Sequence, residues 1–147
     1  PAGNLKTDVT MEVHPSEMTF PKYADYTFTR ADVDFKPTTQ SVLKQTLDAE
    51  GKLKGSWNLP PMGNVPSALK LKLIAYVFDK GGQPNESWNV VTKHVYPYYV
   101  GLRDATGYGY YKTGDVARFP IVLLDPNGKP VAGRQLTYRI YRNDKQW

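Results

Sequence analysis

The chain has 147 residues, 40% of them hydrophobic, with no cysteine and a net charge of +5. That length allows one generous domain, or one domain and part of another, and the missing cysteines exclude a disulfide framework, a thiolate metal site and a cysteine nucleophile. No apolar run approaches the ~18 residues of a membrane-spanning helix, and no charged-then-apolar leader opens the chain at Pro1-Ala2-Gly3, so any export signal is expected upstream.

Eleven Tyr, three Trp and five Phe suit strands and their cross-strand pairs better than helices. Asp8 to Val13 alternates, with Val9, Met11 and Val13 on one side, and predicts an opening strand that ends at His14-Pro15. Tyr23, Tyr26, Phe28, Val33 and Phe35 alternate loosely among Asp25, Asp32 and Asp34, which predicts one short strand with an approach loop. Gln40 to Leu47 is the next strand, and it runs into Asp48-Ala49-Glu50-Gly51. The same Asp-x-x-Gly pattern returns at Asp79-Lys80-Gly81-Gly82 and Asp125-Pro126-Asn127-Gly128. In such a turn the aspartate accepts hydrogen bonds from backbone N–H groups further along, and the glycine takes the left-handed conformation that reverses the chain. Leu53, Trp57 and Leu59 then line one face of a predicted return strand, which Pro60-Pro61 stops.

Ala68 to Phe78 is the strongest strand pattern in the chain. In Leu69-Lys70-Leu71-Lys72-Leu73 a period of two puts leucines on a buried face and lysines on a solvated one, and this explains the basic stripe without a nucleic-acid partner. The second turn leads into a strand from Trp88 to Val95, and about six short strands in this length suit a two-sheet antiparallel β-sandwich closing near Tyr96-Pro97. Beyond it, Tyr98 to Leu102 and Ala117 to Leu124 read as strands, the latter with Phe119, Ile121 and Leu123 facing inward, and Leu136, Tyr138 and Ile140 alternate after the third turn. Three strands cannot bury both faces of a sandwich, so this second unit is expected to be incomplete or to borrow strands. No helix is predicted. The domains expected are therefore residues 1–97 and a truncated 98–147, and the opening Pro1 and closing Gln146-Trp147 read as cuts within a longer polypeptide.

No residue pattern here assigns a catalytic, cofactor or metal site. His14 and His94 have no serine or carboxylate at a catalytic spacing, so both read as structural. Asp25, Asp32 and Asp34 are the best calcium candidates, but no loop of calcium-binding spacing surrounds them, and a solvated strand edge is the better account. Trp57 and Trp88 could stack on sugars, yet both fall where a strand turns an aromatic inward, which favours core packing. Tyr96, Tyr98 and Tyr99 cluster at the domain junction, where packed rings would set the angle of the joint, and Tyr108, Tyr110 and Tyr111 are candidates for a contact patch with a neighbouring domain.

The segment Val95-Tyr96-Pro97-Tyr98-Tyr99-Val100-Gly101-Leu102-Arg103, followed by Val122 to Gly133 around Asp125-Pro126-Asn127-Gly128-Lys129-Pro130 and by Leu136 to Ile140, resembles the junction between consecutive macroglobulin-like domains of bacterial alpha-2-macroglobulins. Phe20-Pro21-Lys22-Tyr23-Ala24-Asp25-Tyr26-Thr27-Phe28 and Val77 to Pro84 resemble the preceding domain of that family. The resemblance implies immunoglobulin- or fibronectin-like sandwiches in the shell of a large protease inhibitor, a periplasmic lipoprotein held at the inner membrane. In that family a protease cuts an exposed bait segment, the shell rearranges, and in many members a Cys-to-Gln thioester acylates the attacker. This chain has no cysteine for a thioester and no long unpatterned segment to serve as bait, so the implied role is architectural and non-enzymatic. Its expected partners are neighbouring domains of the same polypeptide and, through the parent, proteases; no cofactor, nucleic acid or direct membrane insertion is implied. An immunoglobulin-like adhesin or polysaccharide-binding module is the alternative. The exposure of Trp57, Trp88 and the Tyr108 to Tyr111 group, and whether they line one groove, separates the two.

Overall fold

A computed structural model describes residues 3–141. In chain order its elements are β1 (Lys6–Ser16), a 3-10 turn (Pro21–Tyr23), β2 (Thr38–Thr46), β3 (Ala68–Phe78), β4 (Pro84–Lys93), β5 (Tyr99–Leu102) and β6 (Ile121–Leu124). Every strand pairing is antiparallel, in a four-stranded sheet ordered β2-β1-β3-β4 and a two-stranded sheet of β5 and β6. The fold is all-β, of the antiparallel immunoglobulin-like sandwich class, with no α-helix among the described residues.

The period-two pattern decides the two faces of the larger sheet. Val13 stands opposite Leu71 and Met11 opposite Leu73, so the apolar residues of β1 and β3 share one face. Met11, Val13, Val65, Leu69 and Leu71 form its buried core, covered by Phe35, Trp57 and Leu59. On the other face the acids of β1 answer the lysines in register: Asp8 is opposite Lys44 and Glu12 opposite Lys72, with ion-pair distances of 3.3 and 3.8 Å. Of the lysine stripe, Lys72 is thus paired across the sheet and Lys70 is exposed.

Pro15 lies within β1 and does not end it. The β2 pairing stops at Val13, so the last residues of β1 pair with β3 alone and are an edge on the β2 side, where a missing N–H leaves no ladder bond unmade. A register shift between Val9 and Thr10 leaves Val42 without a partner, and this bulge lets consecutive Val42 and Leu43 both line the covered face.

All three Asp-x-x-Gly turns form alike. Asp48 Oδ1 accepts from Glu50 N and Lys52 N at 3.0 and 2.7 Å, Asp79 Oδ1 from Gly81 N and Gln83 N at 2.8 Å each, and Asp125 Oδ1 from Asn127 N and Lys129 N at 2.9 Å each. Gly51, Gly82 and Gly128 have φ of 80°, 81° and 79°, the left-handed region the turn requires. Their uses differ, however. Only the second joins two regular strands, β3 and β4. The first sends the chain across the sheet as an unpaired extended layer: Trp57 and Leu59 are half-buried against the core and Leu53 lines the cleft beside them, but the predicted return strand is absent. Gly55 lies against Leu43 and Pro60-Pro61 offers no N–H, so this stretch suits covering a face better than joining a ladder.

Three further expectations are corrected. The region 23–35 is no strand; it starts with the 3-10 turn, pairs with a sheet only at the Thr27–Leu102 bridge and runs on irregularly. In β6 the inward residues are Val122 and Leu124, because Tyr99 pairs with Leu124 and Gly101 with Val122, whereas Phe119 and Ile121 are exposed. The run Ile121-Val122-Leu123-Leu124 is apolar on both parities, so alternation could not choose its face. Finally, Leu136, Tyr138 and Ile140 are exposed and belong to no strand.

Candidate functional site

The richest convergence of unusual side chains lies where the two sheets meet. Phe20, Phe28, Ala68, Tyr99 and Leu124 form a second buried cluster, drawn from the early loop, the start of β3, and the β5–β6 hairpin. Phe20 meets Phe28 edge-on at 4.8 Å between ring centroids and Tyr99 at 6.2 Å. Gly101 makes this possible. A Cβ at that position would come within 2.5 Å of the Phe28 ring, so only glycine lets β5 pass so close.

The loop is sewn to both sheets by backbone groups. Thr27 and Leu102 exchange N–H to C=O hydrogen bonds of 2.8 and 3.0 Å. Arg30 N donates to Pro66 O at 2.8 Å, and Ser67 Oγ, buried, donates to Phe28 O at 3.2 Å. Outside the cluster, Arg103 donates to Asp25 at 3.0 Å and lies over the Tyr26 ring. The tyrosines of the junction have distinct places. Tyr96 donates to Val65 O at 2.8 Å; Tyr98 accepts from Arg134 at 3.0 Å; Tyr99 is buried, its hydroxyl 2.8 Å from His94 Nδ1. Burial pushes the Tyr99 hydroxyl above its ordinary pKa range.

Tyr108, Tyr110 and Tyr111 lie on the loop that follows β5. Asp104 organises it, accepting from the Tyr111 hydroxyl, from Thr106 N and Oγ1 at 2.9 and 2.7 Å, and from Gly109 N at 3.0 Å. These donors, the Tyr111 hydroxyl foremost, hold the Asp104 carboxyl well below the usual carboxylate range. Tyr111 also stacks edge-on with Phe119 at 5.6 Å, so it supports the loop from within. Tyr108 and Tyr110 are 77% and 64% exposed, with ring centroids 6.3 Å apart.

The remaining candidates do not gather. Asp32 is held by Arg30 through two hydrogen bonds and Asp25 by Arg103, and among the described residues no group of three or more His, Cys, Asp or Glu is placed to hold a metal. His14 lies 3.2 Å from Glu12. Trp57 helps line a half-open apolar cleft of about 390 Å³ on the covered face of the large sheet. Trp88, expected in the core, is instead 60% exposed on the opposite face with Lys72 over its ring at 5.4 Å. Its in-register partner Ile74 shares that face and is buried there while the Trp88 ring stays outside, so strand position alone misplaced it. The two tryptophans and the tyrosine loop therefore line no common groove.

Sequence reasoning placed Gly101 and Leu124 in the segments that resemble the domain junction without giving either a role, and it missed Phe20, Thr27 and Phe28 as their partners there. One signal was present: a lone glycine within a strand pattern marks close backbone approach, and Gly101 is that glycine.

Two sheets of antiparallel sandwich type joined by an aromatic seam define a pair of β-domain modules, and comparison with known families places them. Residues 1–97 match the bacterial alpha-2-macroglobulin MG5 domain and residues 101–147 match bacterial macroglobulin domain 6. The chain belongs to the bacterial alpha-2-macroglobulin family. It is similar to the alpha-2-macroglobulin of Rickettsia conorii, with 23% identity over 140 residues, 95% of this chain and 7% of that relative. The chain thus spans a small part of the length of the curated relative it matches. No solved structure matches it.

Proposed function

We propose that these domains are adjoining structural panels in the shell of a periplasmic protease inhibitor, whose parent is a lipoprotein at the inner membrane and traps proteases after its bait segment is cut. The observation that supports this reading is the match of successive parts of the chain to macroglobulin domains 5 and 6 of one family. The chain's part is non-catalytic: it has no cysteine to form a thioester, and its two histidines sit beside Glu12 and Tyr99 as structural groups. Tyr96, Tyr98 and Tyr99 help set the angle between the panels, and the exposed Tyr108 and Tyr110 face a neighbouring domain of the same polypeptide. Placement of Trp57 and Trp88 on opposite faces of one sheet gives the polysaccharide-binding alternative no shared platform.

The test uses the full-length parent and a broad-specificity protease, read on a denaturing gel and by size. Cleavage within one region, with the protease retained, is the expected result; a covalent adduct would add a thioester to the mechanism. Scattered cleavage with no retained protease would overturn the inhibitor reading.

A further inference from the structure

We infer that the segment from Met18 to Arg30 is an inter-domain clamp that makes the two matched domains one mechanical body. By sequence this segment lies within the first family match, residues 1–97, yet its anchors Phe20 and Phe28 are buried in a cluster that joins Ala68 of β3 to Tyr99 of β5 and Leu124 of β6. Phe28 occupies the space that Gly101 leaves open, and Thr27 adds a bridge to the free edge of β5 through its two bonds to Leu102. Arg103, on the second unit, reaches back to Asp25. At the other end, Arg30 N and Phe28 O are tied to Pro66 and Ser67, which lead into β3. One short stretch of chain is therefore bonded to both sheets at once.

A hinge absorbs motion in a few backbone positions where little else is bonded. The connection between β4 and β5 has the opposite character, because Tyr96 is fastened to Val65 and His94 lies against Tyr99. Opening this joint would break both Thr27–Leu102 bonds and draw Phe28 out of its cluster in one step. During a rearrangement of the parent, a consequence that rests on the inhibitor reading, the pair swings as a unit and the bending falls at other joints.

Amide hydrogen exchange of the full-length polypeptide, read by mass spectrometry before and after protease cleavage, tests this. Peptides covering residues 25–30 and 99–104 should be protected together and stay protected after cleavage. Gly101→Val should raise exchange in both by about tenfold or more and leave β1 and β3 unchanged. A second variant, Thr27→Cys/Leu102→Cys, uses two facing, exposed positions; oxidised, it should leave the cleavage-triggered change in size intact. Rapid exchange at both peptides in the uncut protein, loss of their protection on cleavage, or a disulfide that blocks the change would each overturn the clamp. A parent that retains no protease overturns the inhibitor reading alone, since protection in the uncut protein still decides the clamp.

Discussion

In the large sheet, β1 and β3 bury Val13 and Leu69 beneath chain of the same matched domain, around Trp57 and Val65. The β5–β6 hairpin buries Tyr99 and Leu124 beneath Phe20 and Phe28, which come from far earlier, and leaves Val100, Leu102 and Ile121 exposed on its outer face. Two strands have too little area for a core of their own, and an isolated hairpin is marginal in water. The contrast teaches where cooperativity resides: the large sheet is stabilised by its own segment of chain, while the hairpin is ordered by its contact with the loop of its neighbour.

Phe28→Ala strikes that contact directly and should have the largest effect, about 4 kcal/mol of stability, since it empties a buried aromatic site. In chemical denaturation the hairpin signal should move to lower denaturant while the tryptophan signal of the large sheet, whose core is its own, moves little; an equal shift of both would break the contrast. Trp57→Ala tests the other region. Because Trp57 is half-buried beside an open cleft, its removal should cost about 2 kcal/mol, less than a sealed core site would. A loss of 4 kcal/mol or more would mean that the unpaired layer is packed as tightly as a second sheet.

A pH titration sharpens the comparison at the hairpin's loop. The Asp104 carboxylate has a folded pKa below its unfolded one, so its support of the loop is complete above the ordinary carboxylate pKa of about 3.9 and fades as pH falls below that. Amide resonances of Thr106 and Gly109 should hold their positions down to about pH 4 and shift only in stronger acid. Loop shifts centred between pH 5 and 7 would contradict the Asp104 anchor. Trp88→Ala should have the smallest effect, about 0.5 kcal/mol or less, as expected of an exposed ring under a lysine.

Much of this architecture was legible residue by residue. β3 was readable because Leu69 to Leu73 alternates cleanly, and the turns because aspartate and glycine act through bonds within five residues. Of the seam, Tyr99 and its neighbouring tyrosines were legible as a junction cluster, and the loop that meets them was not. Phe28 looks like a member of a local strand until Gly101, Tyr99 and Leu124 are brought against it and Phe20. Trp88 illustrates the same limit from the other side, because a tryptophan in a strand gives no sign of whether its face is covered.

The sequence by itself determined the all-β class, the three Asp-x-x-Gly corners and the paired faces of β1 and β3, since these follow from side-chain period and short-range hydrogen bonding. Tertiary structure alone decided which face of β6 turned inward, that the chain after Gly51 became a covering layer and not a strand, and that one loop joins two domains. Those outcomes depend on contacts between residues far apart in the chain, where the same apolar side chains fit either choice until their partners arrive.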